Sequence, residues 1–306
     1  MWREYFDDVS PLILRGFFIS HPNAVDIKDF MTNRNKLIEY DSAKRAHPAL
    51  EELRGILQYK DLILQLVRRD IVARYKRSAL GIAWTMLQPL GMMIILSVVF
   101  SNLFHTIRGY PSYILSGLLA WTFFAQTTTA AIHQIVWGSA LFHRIYLPRT
   151  SFPISAIGTG MVNLALGLIP LTLILLVTGI SLTWNILFVP ISILLLAAFA
   201  LGVGLILSTL AIYFPDVVEM YQVILIGWMY LTPIIYSEEI LPEALRFWVT
   251  NLNPMYHLVQ IFRLPIYGGE LPSLPTLLIG STVALSTLLV GWLIFSKKSD
   301  EFAYHV

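Results

Sequence analysis

Residues 185 to 214 read NILFVPISILLLAAFALGVGLILSTLAIYF and contain no charged side chain. An α-helix rises 1.5 Å per residue, so about 20 apolar residues cross the roughly 30 Å hydrocarbon core of a bilayer. The run exceeds that length, and it lacks the polar face of a helix on the surface of a soluble protein. We therefore predict a membrane-spanning helix, with its first residues, near Trp184 and Pro190, in the membrane interface.

Five more segments share this apolar character. Together the six segments predict an all-α integral membrane protein with six transmembrane helices. The chain has 306 residues, of which 56% are hydrophobic and only 13% are charged. A soluble domain carries about 25% charged residues, so this composition excludes an ordinary soluble protein. The five segments are residues 85–104, 113–137, 152–177, 217–236 and 274–295.

Basic residues near the spans predict that both chain ends lie in the cytoplasm. Most of the 21 Lys and Arg residues precede Thr85. Arg144 and Arg149 lie between the second and third spans, and Lys297 and Lys298 follow the sixth. Because short cytoplasmic loops are enriched in Lys and Arg, a six-span count places all these segments on the cytoplasmic side.

An amphipathic helix is predicted directly before the first span, over residues 56–79. Its apolar residues recur at spacings of three and then four, which places them on one helix face. They are Ile56, Tyr59, Ile63, Val67, Ile71 and Tyr75. Basic side chains between them favour a helix in the cytoplasmic membrane interface; the alternative is a soluble helix packed on a partner. Residues 1–55 are interpreted as a cytoplasmic extension.

Between the fifth and sixth spans, residues 237–273 are interrupted too often by proline to cross the membrane. Pro242, Pro254, Pro265 and Pro272 divide this stretch and leave two short helical segments. Irregular backbone at membrane depth is tolerated where protein or a water-filled cavity covers it. We predict a re-entrant helix pair that dips back from the outer face; an external loop folded on the surface is the alternative.

The spans lack the side chains that an ion-driven pump or an enzyme would need. His133 is the only titratable residue well inside a span, and a lone histidine is more typical of helix packing than of a proton relay. The chain contains no G-x-x-x-x-G-K-[ST] loop to hold nucleotide phosphates, and it has no cysteine. We predict no catalytic residue, metal site or cofactor in this chain, so that any ATP acts through a partner.

Aromatic residues make up 13% of the chain, and several fall near the predicted outer side of the membrane. Most are typical of the interfacial belt, where amphipathic rings are favoured. Some are candidates for a channel lining, because aromatic faces stack on sugar rings and their polar groups donate hydrogen bonds. The candidates are Tyr110, Trp121, Phe124, Trp228, Tyr230, Tyr236, Trp248 and Tyr256.

Residues 68 to 84 read RRDIVARYKRSALGIAW and continue to Gln88-Pro89. This motif resembles the start of the membrane domain in bacterial ABC exporters for polysaccharides, the permeases of O-antigen, teichoic acid and capsule. The resemblance predicts an exporter domain over residues 56–306. Further matching segments are residues 147–149, 216–217, 251–255 and 262–263, with Phe302. Pro215-Asp216 stands where the family usually has Arg-Asp, so a role assigned to that arginine does not carry over.

The resemblance implies a homodimer in the bacterial cytoplasmic membrane, joined by two subunits that bind ATP and Mg²⁺, and a polysaccharide cargo on undecaprenyl diphosphate. The helix before the first span would be a gate, whose basic side chains attract the diphosphate or serve topology alone. The gate residues are Arg68, Arg69, Arg74, Tyr75, Lys76 and Arg77. A coupling helix in the loop 138–150 would contact the ATPase through Phe142, His143, Arg144, Tyr146, Leu147 and Arg149.

Export of a polysaccharide through a channel is the function that the resemblance favours. One alternative is a permease of the same architecture for a drug or a lipid. The other is a multi-span glycan-modifying enzyme that works without ATP. An ATPase subunit that copurifies with the chain separates both exporters from the enzyme.

Overall fold

The computed structural model describes residues 48–76, 80–81, 83–136 and 148–302, and in these ranges it contains helices and turns but no β-strand. The prediction of an all-α protein is confirmed for this part of the chain. The helices are α1 (Pro48–Gln58), α2 (Lys60–Tyr75), α3 (Ala83–Phe100), α4 (Tyr110–Val136), α5 (Ser151–Val177), α6 (Val189–Tyr213), α7 (Val217–Leu231), α8 (Glu243–Leu252), α9 (Pro254–Arg263) and α10 (Leu274–Lys298). Single helical turns cover Trp184–Phe188, Glu238–Ile240, Leu264–Gly268 and Ser299–Glu301.

Four helical segments are long and apolar enough to cross a membrane, and they match the first, third, fourth and sixth predicted spans. They are Ala83–Phe100, Ser151–Val177, Trp184–Tyr213 and Leu274–Lys298. The second predicted span is the 27-residue helix α4, whose polar residues lower its hydropathy, and the fifth is the 15-residue helix α7. Helix α7 ends at Leu231 because the ring of Pro233 disfavours helical backbone at Thr232, which is extended.

The long helix with the most polar composition, α4, lies at the centre of the bundle, where it packs on α5 and α6. Most of its residues are buried, and their hydroxyl groups find partners within the protein. Thr127 donates to the carbonyl of Phe123 at 2.7 Å, and the hydroxyls of Thr128 and Tyr221 lie 2.7 Å apart. Because buried polar groups need hydrogen-bond partners, these contacts explain why protein rather than lipid surrounds α4.

Two glycines bring α6 and α10 into backbone contact. A Cβ atom at Gly202 of α6 would lie 2.5 Å from the carbonyl carbon of Thr287 and 2.6 Å from the amide nitrogen of Leu288. From the other helix, Gly291 faces the backbone of Gly202. Small residues at such crossings allow the close packing that holds helices together in a membrane, where the hydrophobic effect does not distinguish protein from lipid.

The amphipathic segment before the first span forms two helices, α1 and α2, that meet at Tyr59. The amide of Tyr59 donates to the carbonyl of Gly55 at 2.8 Å, so helical hydrogen bonding continues across the junction. The predicted apolar face of α2 packs on α5, where Val67 lies against Gly158. Arg68, next to Val67, is exposed.

Large apolar side chains are exposed along α3, α7 and α10. Val98, Val223 and Leu285 are examples, each more than half exposed. Continuous apolar surface of this kind is unfavourable in water and marks contact with lipid or with another protein.

Candidate functional site

A cavity of about 770 Å³, lined by both apolar and polar side chains, lies between α3, α4, α5 and α7, with Arg74 of α2 in its lining. This volume falls in the range of about 300–1,000 Å³ that is usual for ligand sites. Among the described lining residues Arg74 is the only permanent charge, and there is no carboxylate. The other polar lining residues are Thr85, Gln88, Thr122, Gln126, Thr129, His133, Asn163 and Gln222.

Helix α4 contributes a polar stripe to this cavity. Thr122, Gln126, Thr129 and His133 follow one another at spacings of four, three and four, so they lie on one helix face. The stripe is visible in the sequence, although charged and aromatic residues alone do not indicate it. His133 is therefore one member of a polar row, which is a different setting from a lone histidine in an apolar span.

The cavity lies toward the end of the bundle where α4 ends and α5 begins. Ser155 in the first turns of α5 donates to Gln134 near the end of α4 at 3.2 Å, which fixes this arrangement. From His133 to Leu119 the lining extends about 21 Å along α4 at 1.5 Å per residue. Its inner part is apolar, where Leu119 and Leu164 are buried.

Three glutamines in the lining keep their amide groups available. Gln88, Gln126 and Gln222 make no side-chain hydrogen bond to another residue in the part of the chain that the structure describes. An amide without a partner is costly in an apolar environment, by about 1–3 kcal/mol in proteins. The cavity is therefore an environment for water or for a polar ligand, within a bundle whose outer surface is apolar.

The predicted gate residues divide into two groups. Arg69 donates to Asp70 through Nε at 3.0 Å and Nη2 at 2.8 Å, and Asp70 also accepts from Gln134 at 2.8 Å. Arg69 is thus part of a network that ties α2 to α4. Arg74 instead lines the cavity and makes no ion pair with a carboxylate in the described ranges.

The remaining gate residues do not line the cavity as described. Arg68 and Lys76 are exposed on α2 and at its end. The backbone of Tyr75 closes α2, whereas its side chain and the whole of Arg77 lie outside the described residues.

Most of the predicted coupling residues also lie outside the described residues, namely Phe142, His143, Arg144, Tyr146 and Leu147. The end of that loop is described, and it packs on α1. Thr150 donates to Glu52 at 2.5 Å, and Pro148 lies against Gly55. The Arg149 guanidinium lies 5.8 Å from the centre of the Phe302 ring, so the loop meets both α1 and the residues after α10.

Three of the predicted channel aromatics pack together inside the subunit. The Trp228 ring contacts Trp121 at 6.1 Å and Phe124 at 5.3 Å between ring centres, and Phe124 stacks on Phe199 at 5.4 Å. Trp121 and Phe124 are buried. This cluster joins α4, α6 and α7.

The other five predicted aromatics lie around the loop after α7 and on the helices beyond it. Tyr110 is buried and donates to a carbonyl of that loop at 2.9 Å, and the hydroxyl of Tyr236 donates to the carbonyl of Tyr230 at 2.8 Å. Tyr256 is half-buried, whereas Tyr230 and Trp248 are each 60% exposed.

None of the eight predicted aromatics is among the described lining residues of the cavity, whose aromatic members are Trp84 and Phe123. Trp84 is 55% exposed and Phe123 is buried. Trp84 belongs to the motif at residues 68–84, but it is not one of the aromatic residues predicted near the outer side of the membrane.

A buried arginine joins α4, α9 and the loop after α7. Arg263 is 1% exposed, and its guanidinium donates to the carbonyls of Pro233 at 2.9 Å and Ile234 at 3.1 Å. Its Cζ atom lies 3.8 Å from the centre of the Tyr113 ring, and Gly117 leaves room for it. The sequence does not reveal that backbone carbonyls accept hydrogen bonds from Arg263. In the sequence this residue is noticeable only because residues 262–263 resemble the exporter family.

An all-helical bundle with apolar outer surfaces and a cavity that carries polar side chains is an architecture that suits a membrane transporter subunit. The chain belongs to the ABC-2 type transporter family, whose model matches residues 61–267. The matched segment contains α3 to α9 and all the residues that line the cavity, whereas α1 precedes it.

Individual relatives extend this match. The chain is 29% identical over 254 residues to the O-antigen export system permease protein RfbA of Myxococcus xanthus, an alignment that covers 82% of this chain and 97% of that protein. It is 26% identical over 246 residues to the RfbA of Klebsiella pneumoniae, covering 79% and 94%. It is 24% identical over 261 residues to the polysialic acid transport protein KpsM of Escherichia coli, covering 80% and 96%. The resemblance first seen in residues 68–84 is confirmed.

Proposed function

We propose that this chain is the permease subunit of an ATP-driven exporter, and that it forms the channel through which a polysaccharide crosses the bacterial cytoplasmic membrane. The observation that carries the proposal is a cavity with amides and hydroxyls among its apolar lining residues, in a bundle of the ABC-2 type transporter family. Relatives named for O-antigen export and polysialic acid transport align with 79–82% of the chain and support the same cargo class.

The lining of the cavity favours a polysaccharide over a drug or a lipid. Ligand sites are usually lined mainly by hydrophobic side chains with a few polar groups that set specificity. Beside apolar side chains such as Leu119, this cavity carries Gln126, Asn163 and Gln222 from three different helices. Such groups match a cargo rich in hydroxyls. The third candidate, a glycan-modifying enzyme, has no comparable support from the lining.

Six membrane crossings by α3, α4, α5, α6, α7 and α10 are part of the proposal, with both chain ends in the cytoplasm. Helix α4 is long enough to cross, at about 40 Å for 27 residues. Its polar groups are covered by neighbouring helices, so its moderate hydropathy does not oppose a crossing. Helix α7 is shorter, and α8 and α9 after it are proposed as the re-entrant pair.

A second copy of the chain and two ATP-binding subunits complete the proposed exporter. The cavity is bordered by α3 and α7, which also carry exposed apolar side chains such as Val98 and Val223, and a second copy would cover them. ATP and Mg²⁺ would be bound by the partner subunits. Closure of the ATP-binding subunits would move the loop 138–150. The end of this loop, Pro148 to Thr150, would pass the movement on to the bundle.

Arg74 is the gate residue best placed to attract the diphosphate of an undecaprenyl carrier, because it lines the cavity and Arg69 is already paired with Asp70. Guanidinium groups bind phosphate oxygens through paired donors. Contacts between aromatic rings and sugars are assigned to the exposed residues Tyr230 and Trp248. The packed cluster of Trp121, Phe124 and Trp228 would hold the helices around the channel.

Deletion of the gene tests the proposal. We expect the cell surface to lose one polysaccharide while its carrier-linked form accumulates on the cytoplasmic side, and the intact chain to restore export. An ATPase subunit should copurify with the tagged chain. Normal surface polysaccharide in the deletion strain, or a purified chain that hydrolyses ATP on its own, would contradict the proposal.

A further inference from the structure

We propose that the end of the loop 138–150 is held by a fixed anchor, which consists of α1 and of residues 299–302 after α10. The anchor would pass a movement of this loop to α6 and α10 as well as to α5, which the loop joins directly. The inference rests on the proposed function, and it adds residues that position the loop between the ATP-binding subunits and the bundle.

Helix α1 holds the loop end by a hydrogen bond and by close packing. Thr150 donates to Glu52 at 2.5 Å. A Cβ atom at Gly55 would lie 2.8 Å from Cγ and 3.3 Å from Cβ of Pro148, so the backbone of α1 approaches the proline ring closely. Residues three apart lie on the same face of a helix, and the two contacts therefore fix the loop end along α1.

The residues after α10 contact the same loop end. The Arg149 Cζ atom lies 5.8 Å from the centre of the Phe302 ring, within the range of a cation–π contact. Phe302 is 1% exposed and packs edge-on against Phe295 of α10, at 5.1 Å between ring centres. The ring beside Arg149 is thus itself fixed to α10.

Helix α1 is also fastened directly to α10 and to the turn that follows it. The indole Nε1 of Trp292 donates to the carbonyl of Ala49 at 3.2 Å. Glu52, the acceptor for Thr150, has a second side-chain hydrogen bond with Ser299. The two parts of the anchor therefore support each other as well as the loop.

A further contact joins the anchor to α6. The Tyr213 hydroxyl at the end of α6 donates to Glu301 at 2.6 Å, and Lys298 donates to the same carboxylate at 2.9 Å. Helices α6 and α10 already meet at the backbone of Gly202. A displacement of the loop end would consequently act on these two helices together.

Both parts of the anchor lie outside the segment that matches the family. That segment covers residues 61–267 and contains the loop end, whereas α1 precedes it and residues 299–302 follow it. The family match therefore does not by itself predict the anchor.

A disulfide tests whether the anchor stays closed while export proceeds. The chain has no cysteine, so Gly55→Cys and Pro148→Cys form a single pair. Their Cβ atoms would lie 3.3 Å apart, close to the roughly 3.5–4.5 Å of a disulfide. The chain is purified with its ATPase subunit and placed in vesicles with the carrier-linked glycan that accumulates in the deletion strain. We expect equal export per ATP hydrolysed with the disulfide oxidised or reduced, because a fixed anchor does not open.

Loss of the anchor contacts should separate export from ATP hydrolysis. Glu52→Leu removes the acceptor of Thr150 and should lower export per ATP about fivefold, whereas Glu52→Gln keeps an acceptor and should retain it. Phe302→Leu removes the ring beside Arg149 and should lower it about twofold. Phe214→Leu makes the same change at a 65% exposed position after α6 and should have no effect. ATP hydrolysis without glycan and elution in gel filtration should match the wild type in all four proteins.

Three results would overturn the inference. They are export that stops when the cysteine pair is oxidised and returns on reduction, a cysteine pair that does not oxidise, and a Glu52→Leu protein whose export per ATP equals that of the wild type. Each of them leaves the proposed function intact, because the wild-type complex still exports glycan. If no ATPase subunit copurifies with the wild-type chain, or if its vesicles export no glycan, the proposed function itself has failed.

Discussion

One arginine fixes the junction between the end of α7 and the helices that follow it. Arg263 is held by two backbone carbonyls and by the ring of Tyr113, in a position that Gly117 leaves open. Because the loop after α7 has non-helical backbone, its carbonyls need donors from elsewhere in the protein. The guanidinium supplies them and allows this loop to be buried.

Arg263→Met should lower the stability of the bundle. The substitution keeps a long side chain but leaves the carbonyl of Ile234 without a donor and that of Pro233 with only the 3.4 Å hydrogen bond from Tyr113, at a cost on the order of 3 kcal/mol. The measurement is the midpoint of thermal unfolding of the purified chain in detergent. Arg246→Met on the exposed face of α8 is the matched control and should unfold like the wild type. Equal midpoints for the two variants would contradict this role of Arg263.

Glu52 is the residue whose ionisation should make stability depend on pH. Burial raises the pKa of its carboxyl above the ordinary value of 4.5, although hydrogen bonds from Thr150 and Ser299 and the charge of Arg149 oppose this shift. The folded state therefore holds more protons than the unfolded state between pH 4.5 and the raised pKa. Stability contributed by Glu52 falls as pH rises through that interval and stays lower above it.

Glu52→Gln should consequently stabilise the chain at neutral pH. The amide oxygen can still accept from Thr150, while the cost of a buried charge is removed. The midpoints of thermal unfolding of the variant and the wild type should differ at neutral pH and converge as the pH approaches 4.5. Glu243→Gln, at an exposed position of α8, serves as the control. A difference that is constant over this pH range would exclude titration of Glu52 as the cause.

Two arginines of α2 provide a matched test of the diphosphate gate. Arg74 lines the cavity and the exposed Arg68 is not among its described lining residues, yet both are basic residues of one helix. Arg74→Gln should reduce stimulation of the ATPase by carrier-linked glycan about tenfold, as expected for a lost hydrogen bond to a charged group. Arg68→Gln should have little effect. If both substitutions reduce the stimulation of the ATPase equally, the basic residues act through topology or lipid contact alone.

At the scale of the helices, apolar length predicted most of the elements, and tertiary packing decided the rest. The segments that became α3, α5, α6 and α10 were found because an uninterrupted apolar run has few other interpretations. The early end of α7 is readable from Pro233, but the span was predicted from hydropathy and extended through it. The central place of α4 was not predictable, because its polarity is compensated by partners such as Tyr221 on another helix.

The cavity, like the position of α4, could not be predicted from the sequence. The stripe Thr122, Gln126, Thr129 and His133 is periodic in the sequence, but periodicity does not say whether a polar face contacts protein or an open space. Thr127 and Thr128, beside it on α4, are buried and satisfied by carbonyls. Only the arrangement of α3, α5 and α7 around α4 separates the two groups.

The crossing of α6 and α10 depends on Gly202. Gly202→Ala places a methyl group against backbone atoms of Thr287 and Leu288, which no side-chain rotation can relieve, so the helices must separate at a cost of about 2 kcal/mol. Gly227→Ala, in α7 with open space around it, should be neutral or slightly stabilising. Thermal unfolding of both variants checks the prediction, and a stable Gly202→Ala protein would contradict the close crossing.

At the scale of the whole molecule, the described helices form a bundle with an apolar exterior and a cavity between α3, α4, α5 and α7. The proposed movement of a hydroxyl-rich polymer rests on this exterior, on the buried polar helix α4 and on the polar groups among the described lining residues of the cavity. The basic helix α2 and the loop end at Pro148 to Thr150 lie where partner subunits could act on the bundle. Helix α1 contacts this loop end but precedes the segment that matches the family.

The most direct test of this account is capture of the polymer at the α4 stripe during export. A photoreactive benzoylphenylalanine replaces Gln126 in the cavity, or Leu285 on the exposed face of α10 as the control, and cells are illuminated while export proceeds. The account predicts a polysaccharide adduct at position 126 that requires the ATPase subunit, and none at position 285. Absence of the adduct at position 126 in cells that export normally, or equal adducts at both positions, would contradict it.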